Sequence, residues 1–161
     1  AEQMFGVLKN YVVVPMAVAD SDGISSFYLN SHDAASSLLP FNQEGLRNWI
    51  GGEVLKIERE VVVPTTRLDT FLDHAGIAEV DFLKIDAQGG DFEVVVSAGD
   101  RLRDIKRIAL EVVITPVQLY LGAKDKSVIV DYLERRGFIL TEAKEQTHGQ
   151  EENLTFVRKT Q

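Results

Sequence analysis

There is no cysteine among the 161 residues of this chain. Disulfides and thiolate-bound metals are therefore excluded, and the redox compartment is left open. Histidine is sparse: His32, His74 and His148 are scattered, without the spacing of a metal site. Positive charge is also short. Against 25 Asp and Glu stand 17 Lys and Arg, giving a formal net charge of −8. Such a balance argues against a nucleic-acid partner, because a phosphate backbone would be repelled overall. No apolar run approaches the roughly 20 residues needed to span a bilayer, so no membrane span is expected. The first ten residues lack a basic segment followed by an apolar one, so no signal peptide is read and a cytoplasmic location is the expectation. They also lack an initiator Met, as in a processed chain or a piece of a longer one.

What is present is 45% apolar residues, enough for one domain with its own core over residues 1–161. Helical spacing of Met4, Phe5 and Leu8 predicts a short helix over 2–9. Residues 11–18 are β-branched and apolar and read as a buried strand. The turn Asp20-Ser21-Asp22-Gly23 would return the chain as a hairpin through 24–29. A Ser- and Asn-rich loop over 30–52, with one helical turn near 46–50, is long enough to be functional. A strand over 54–63 stops at Pro64. Thr66-Arg67-Leu68-Asp69 resembles a capping box that opens a helix running to His74, with Gly76 after it. Strands over 80–86 and 107–114 flank a helix over 90–98 closed by Gly99. A helix over 126–136 begins at Asp125, and a terminal hairpin joins 138–144 to 154–158. Glu151-Glu152 reads as part of its solvated loop. Strand–helix–strand units in series predict an α/β fold with a mostly parallel sheet and a C-terminal antiparallel hairpin.

The chemistry concentrates in Val80-Asp81-Phe82-Leu83-Lys84-Ile85-Asp86-Ala87-Gln88-Gly89-Gly90-Asp91. This is a buried strand carrying a Lys, ending in an Asp, and breaking at two glycines before a helix. Alternation puts Phe82, Lys84 and Asp86 on one face and Leu83 and Ile85 on the other. A charge inside a buried strand is costly unless paired, and the next strand offers Glu111. Direct Lys84–Glu111 pairing is therefore expected. Two readings of the cluster stand side by side: a structural ion pair with Asp86 capping the helix, or a ligand site at the carboxyl end of a strand.

These residues carry a family resemblance. Leu83-Lys84-Ile85-Asp86-Ala87-Gln88-Gly89-Gly90-Asp91 resembles the central Leu-Lys-Ile-Asp-x-Glu/Gln-Gly-x-Glu run of the FkbM-type methyltransferases. Ala17-Val18-Ala19-Asp20, Thr66-Arg67-Leu68-Asp69, Ser97-Ala98-Gly99, Leu110-Glu111-Val112, Leu119-Tyr120 and Gly137-Phe138 resemble further family segments, in order, over roughly residues 10–158. Asp91 stands where the family has Glu. The Gly-rich cofactor loop of the family's first strand has no counterpart, so the chain reads as beginning before the third strand of a partial class I, Rossmann-like sheet. The first two strands of such a sheet would then come from a preceding N-terminal segment or a partner chain, and these 161 residues alone would bind cofactor little or not at all.

The resemblance implies an S-adenosylmethionine-dependent O-methyltransferase, or its C-terminal segment, acting on a small-molecule or sugar hydroxyl. It implies Asp86 and Lys84 as catalytic residues, Asp20 and Gln88 at the cofactor, and Ser36 and Ser37 at the acceptor, with no metal. The turn chemistry of Asp20 and plain loop solvation of the two serines are the competing readings. The alternative function is a non-catalytic methyltransferase-like α/β subunit of a larger assembly. A different nucleotide-binding protein finds no support, because no phosphate-binding loop is present.

Overall fold

A computed structural model describes residues 11–159; the helix expected over 2–9 lies outside them. The element order is β1 (Ala17–Val18), β2 (Gly23–Asn30), α1 (Gln43–Asn48), β3 (Ile57–Thr66), α2 (Leu68–His74), β4 (Leu83–Lys84), α3 (Asp91–Ser97), β5 (Arg107–Val113), α4 (Lys126–Arg135), β6 (Phe138–Gln146) and β7 (Glu151–Arg158). Two sheets result, with orders β1-β3-β2 and β4-β5-β7-β6.

The fold is α/β, but the expected mostly parallel sheet is corrected to two mixed ones. Among the strand pairs of the described residues, only β1–β3 and β4–β5 are parallel. The pairs β2–β3, β5–β7 and β6–β7 are antiparallel. The terminal hairpin is present as β6–β7, and its second strand lies between β5 and β6 rather than outside them.

The second sheet carries the main core. Along β5, Ile108, Leu110 and Val112 are buried on one face and meet Val95, Leu133, Phe138, Leu154 and Phe156. Full burial of each such side chain contributes roughly 1.5–3 kcal/mol. α3 has three consecutive valines, a strand-like composition, yet it is helical. Val94 and Val95 are buried in the core, and Gly99 closes the segment at φ +51°.

Two local expectations change. Residues 11–18 are not a buried strand: Val12, Val13 and Met16 are exposed and only Ala17–Val18 is in a ladder, parallel to Thr65–Thr66. Pro15 has no N–H to donate, which limits pairing just before it. β2 therefore does not return against residues 11–18; its antiparallel partner is β3, which runs through Pro64 to Thr66.

The capping box is also not formed. Arg67, not Thr66, is the residue before α2, and the first helical N–H, that of Leu68, donates to Ser97 Oγ at 3.0 Å. Thr66 Oγ1 and the Arg67 N–H both donate to Asp22 Oδ1, at 3.0 and 2.8 Å. Arg67 forms a two-pronged pair with Asp69, at 2.9 and 2.7 Å, and its guanidinium also reaches the carbonyls of Asp20 and Ser97. The fork holds the Asp69 carboxyl below its usual range, with the guanidinium hydrogen bond as the main cause. One side chain thus ties the turn after β1 to the start of α2 and the end of α3.

A planar five-donor fork does this where an ammonium cannot. Arg67→Lys is expected to lower stability by about 1–2 kcal/mol, read as a lower midpoint in urea unfolding.

Candidate functional site

β4 is only two residues long and forms the edge of its sheet, so little ladder holds the segment that follows it. The segment is positioned instead by side chains. Asp91, 3% exposed at the start of α3, accepts from the backbone N–H of Ala87 and of Glu111, each at 3.3 Å. The same carboxylate thereby ties the turn after β4 to the middle of β5. Gln88 takes the left-handed conformation, φ 48°, and its carbonyl accepts from Ser37 Oγ at 2.7 Å. Gly89 follows at φ +88°, and a Cβ there would lie 2.7 Å from Tyr120 Cβ. Glycine is required at this point both for its backbone freedom and for the close approach of the ring.

Lys84 and Asp86 are on one exposed face, as alternation predicts, with Ile85 buried on the other. Phe82 shares the exposed face, so the segment is not a buried strand. Direct Lys84–Glu111 pairing is corrected. Lys84 stands opposite Ala109, two positions short of Glu111 in the β4–β5 register. Its ammonium lies 3.7 Å from Asp86 and donates to the Ile85 carbonyl at 2.8 Å. Asp86 in turn accepts from Gln88 Nε2 at 2.9 Å, and Gln88 Oε1 is 3.0 Å from the Tyr120 hydroxyl. That hydroxyl is also 3.0 Å from the Ala35 carbonyl and has one proton for the two acceptors. Lys84, Asp86, Gln88 and Tyr120 therefore form one connected chain.

The other expected site residues are placed apart from that chain or beneath it. Ser37 is buried, donating to the Gln88 carbonyl and accepting from the Leu39 N–H. Ser36 Oγ accepts from the Asn30 N–H at 3.0 Å. Both hydroxyls hold the loop in shape. Asp20 lines a separate cavity of about 180 Å³ with Ala19, Leu39, Ala87, Gly90 and Glu93. Glu93 Oε2 is buried there without a donor, and burial raises the Glu93 carboxyl above its ordinary value.

On the other side of the turn is a larger cavity, about 390 Å³. The loop after β2 supplies His32 and Ala35, the segment after α1 supplies Trp49 and Ile50, and Gln88, Tyr120, Glu111 and Glu151 complete the polar end. Glu151 is not in a solvated loop: it opens β7, is 9% exposed and accepts from Thr147 Oγ1 at 2.5 Å. Its neighbour Glu152 pairs with Lys126. Glu151 stands opposite Val113 in the β5–β7 register, which puts it on the same face as Glu111. Burial, with Glu151 and Asp86 nearby, pushes the Glu111 carboxyl up to about 7. Burial likewise pushes Asp91 up to about 6 against its two N–H donors.

Sequence reasoning missed Trp49, Tyr120 and Glu151. For Tyr120 a signal existed in the Leu119-Tyr120 segment of the resemblance. For Trp49 and Glu151 none did, because each reaches the site through long-range packing.

The family model for the methyltransferase FkbM domain matches residues 7–140. The chain belongs to the FkbM methyltransferase family. Comparison with curated proteins and with solved structures returned no match. The segment that carries the family's central run is the same Leu83–Asp91 turn that Asp91, Ser37 and Tyr120 hold in place. Among the described residues no helix is long and apolar enough to cross a membrane, and no group of three acidic or His side chains is placed to hold a metal ion.

Two measurements check this architecture. Asp91→Ala removes two backbone hydrogen bonds to a buried carboxylate and is expected to cost about 2–4 kcal/mol in denaturant unfolding. The second concerns pH. Asp91 and Glu111 hold their protons more tightly folded than unfolded, so stability from these groups is highest at acid pH. It falls as pH rises from about 4 to 7, where the unfolded chain has already released both protons, and levels off above. Glu111→Gln is expected to flatten the upper part of that fall, from about pH 4.5 to 7, in a series of thermal melts.

Proposed function

We propose that this FkbM-family chain is an S-adenosylmethionine-dependent O-methyltransferase, or its C-terminal segment, and that the Leu83–Asp91 turn divides its cofactor side from its acceptor side. One observation carries the reading: the turn has a cavity on each flank, and the smaller one contains a buried carboxylate oxygen, Glu93 Oε2, with no donor of its own. A buried acceptor without a donor is unfavourable until a ligand supplies one. The cofactor fits that donor set, because it brings amine N–H groups and a positive charge to a cavity lined by Asp20 and Glu93.

In this reading Asp20 and Glu93 accept from the cofactor's amines, and Gln88 lies at the sulfonium end. Bound cofactor supplies an electrophilic methyl group. Asp86 favours the positive charge by proximity, Lys84 holds Asp86, and Ser36 and Ser37 shape the loop that covers the acceptor. Methyl transfer depends chiefly on holding the acceptor oxygen in line, so the rigid turn contributes by position. The acceptor is a hydroxyl, with a sugar as the family-based choice. The two mixed sheets are part of a larger class I sheet, completed along the exposed β4 edge by a preceding segment or a partner chain. A non-catalytic subunit is the less favoured reading, since the family's central run is retained and ordered.

Calorimetric titration of the complete gene product with S-adenosylmethionine is expected to give saturable heat with one site per chain, weakened at least tenfold by Glu93→Gln. No heat from the complete gene product overturns the enzyme reading.

A further inference from the structure

The cavity beside Trp49 has a feature that neither the family nor the turn motif assigns. Glu111 sits in the middle of a sheet strand, half buried, and among the described residues no hydrogen-bond donor reaches its carboxylate. Across the ladder its face is shared by Glu151, whose second oxygen meets no donor among the described residues. Among the described residues no Lys or Arg lines this cavity, and Lys124 lines only the small adjoining one that shares Glu111 and Glu151. The wall opposite is apolar and aromatic, from Trp49, Ile50, Leu55 and Leu119. A carboxylate held in such a place, with its lone pairs open to a cavity, is placed to accept a proton or a hydrogen bond from whatever enters.

We propose that Glu111 takes the proton of the reacting acceptor hydroxyl, and that the Glu111–Glu151 face excludes negatively charged acceptors. The proposal rests on the methyltransferase reading and adds the proton acceptor to it. As the hydroxyl oxygen bonds the methyl carbon, its proton passes to Glu111 and the carbon–sulfur electron pair stays with sulfur. One sulfonium charge and one carboxylate charge disappear together.

Asp86 is the less suitable base. It is exposed, paired with Lys84 and already accepting from Gln88. Glu111 has none of these partners, and its ionisation near pH 7 matches the pH at which a base is most effective. Burial is the main cause of this raised value; Glu151 on β7, Asp86 after β4 and Asp91 on α3 raise it further, and Lys84 in β4 opposes them. Tyr120 and His32 line the same cavity.

Trp49 is the only tryptophan in the 161 residues, so its fluorescence reads this cavity directly. Two titrations test the proposal. In the first, methyl glucoside, glucuronate and glucose 6-phosphate are added to the chain at neutral pH. The uncharged glycoside is expected to change Trp49 emission with Kd on the order of 1–10 mM; the two anions are expected to bind at least tenfold more weakly. Equal or tighter binding of an anion overturns the charge exclusion, and no response to the glycoside overturns the acceptor cavity.

In the second, pH is varied without ligand. A transition near pH 7 is expected in the parent chain and in His32→Gln, and is expected to vanish in Glu111→Gln. A transition that survives in Glu111→Gln, or that vanishes in His32→Gln, overturns the assignment to Glu111. In the complete gene product, Glu111→Gln is expected to retain S-adenosylmethionine affinity while kcat falls at least a hundredfold and loses its rise through pH 7. Retained affinity with an unchanged pH–rate profile overturns this inference and leaves the methyltransferase reading standing. Loss of cofactor binding by the parent protein would count against that reading alone, because the two fluorescence titrations do not use the cofactor.

Discussion

The buried carboxylate of Asp91 is the constraint on which the site depends. It is almost fully removed from water, which disfavours its charge, and its compensation is two backbone N–H donors from different elements. One belongs to the turn after β4 and the other to β5. Because β4 contributes only Leu83 and Lys84 to its ladder, this clasp does what longer strand pairing would otherwise do. The left-handed backbone at Gln88 and the ring of Tyr120 against Gly89 complete the restraint. An Asp, shorter than the Glu of the family pattern, still reaches both donors.

The turn separates two environments of different character. Toward β1 and α3 it faces a small cavity with Asp20 and the donorless Glu93 oxygen. Toward the loop after β2 it faces a larger one, walled by Trp49 and closed by Glu111 and Glu151. The acidic groups on both flanks lie in a protein whose overall charge is already negative, so no long-range attraction compensates their mutual repulsion. Local burial and crowding raise several carboxyls instead, Glu93, Glu111 and Glu151 among them. Neutralising partners are the natural complement of such a surface.

Local pattern was enough to read much of this. The two faces of the strand through Lys84 follow from periodicity, the end of α3 from Gly99, and α3 itself from the crossover that parallel β4 and β5 require. The capping box was misread because Thr66 and Asp69 have stronger partners brought from elsewhere, Asp22 and Arg67. Residues 11–18 look like a strand by composition, but Pro15 and the short overlap with β3 leave most of them outside any ladder. Direct Lys84–Glu111 pairing fails because the register, which no local signal specifies, sets Lys84 opposite Ala109, two positions before Glu111. Glu151 looked like a loop residue because β7 begins there, and what lies beside a strand's first residue is decided by its neighbours.

The position of β7 has a consequence for how the protein comes into being. β7, the last strand among the described residues, is the inner neighbour of β5, and Phe156 and Leu154 fill the core that Ile108 and Leu110 need. During synthesis β5 must therefore wait, with one edge open and its apolar face uncovered, until β7 has left the ribosome. Pairings this distant in sequence form slowly. The nascent chain is consequently most exposed to aggregation before β7 emerges, and Glu151–Arg158 decide whether Glu111 and Glu151 are brought to one face.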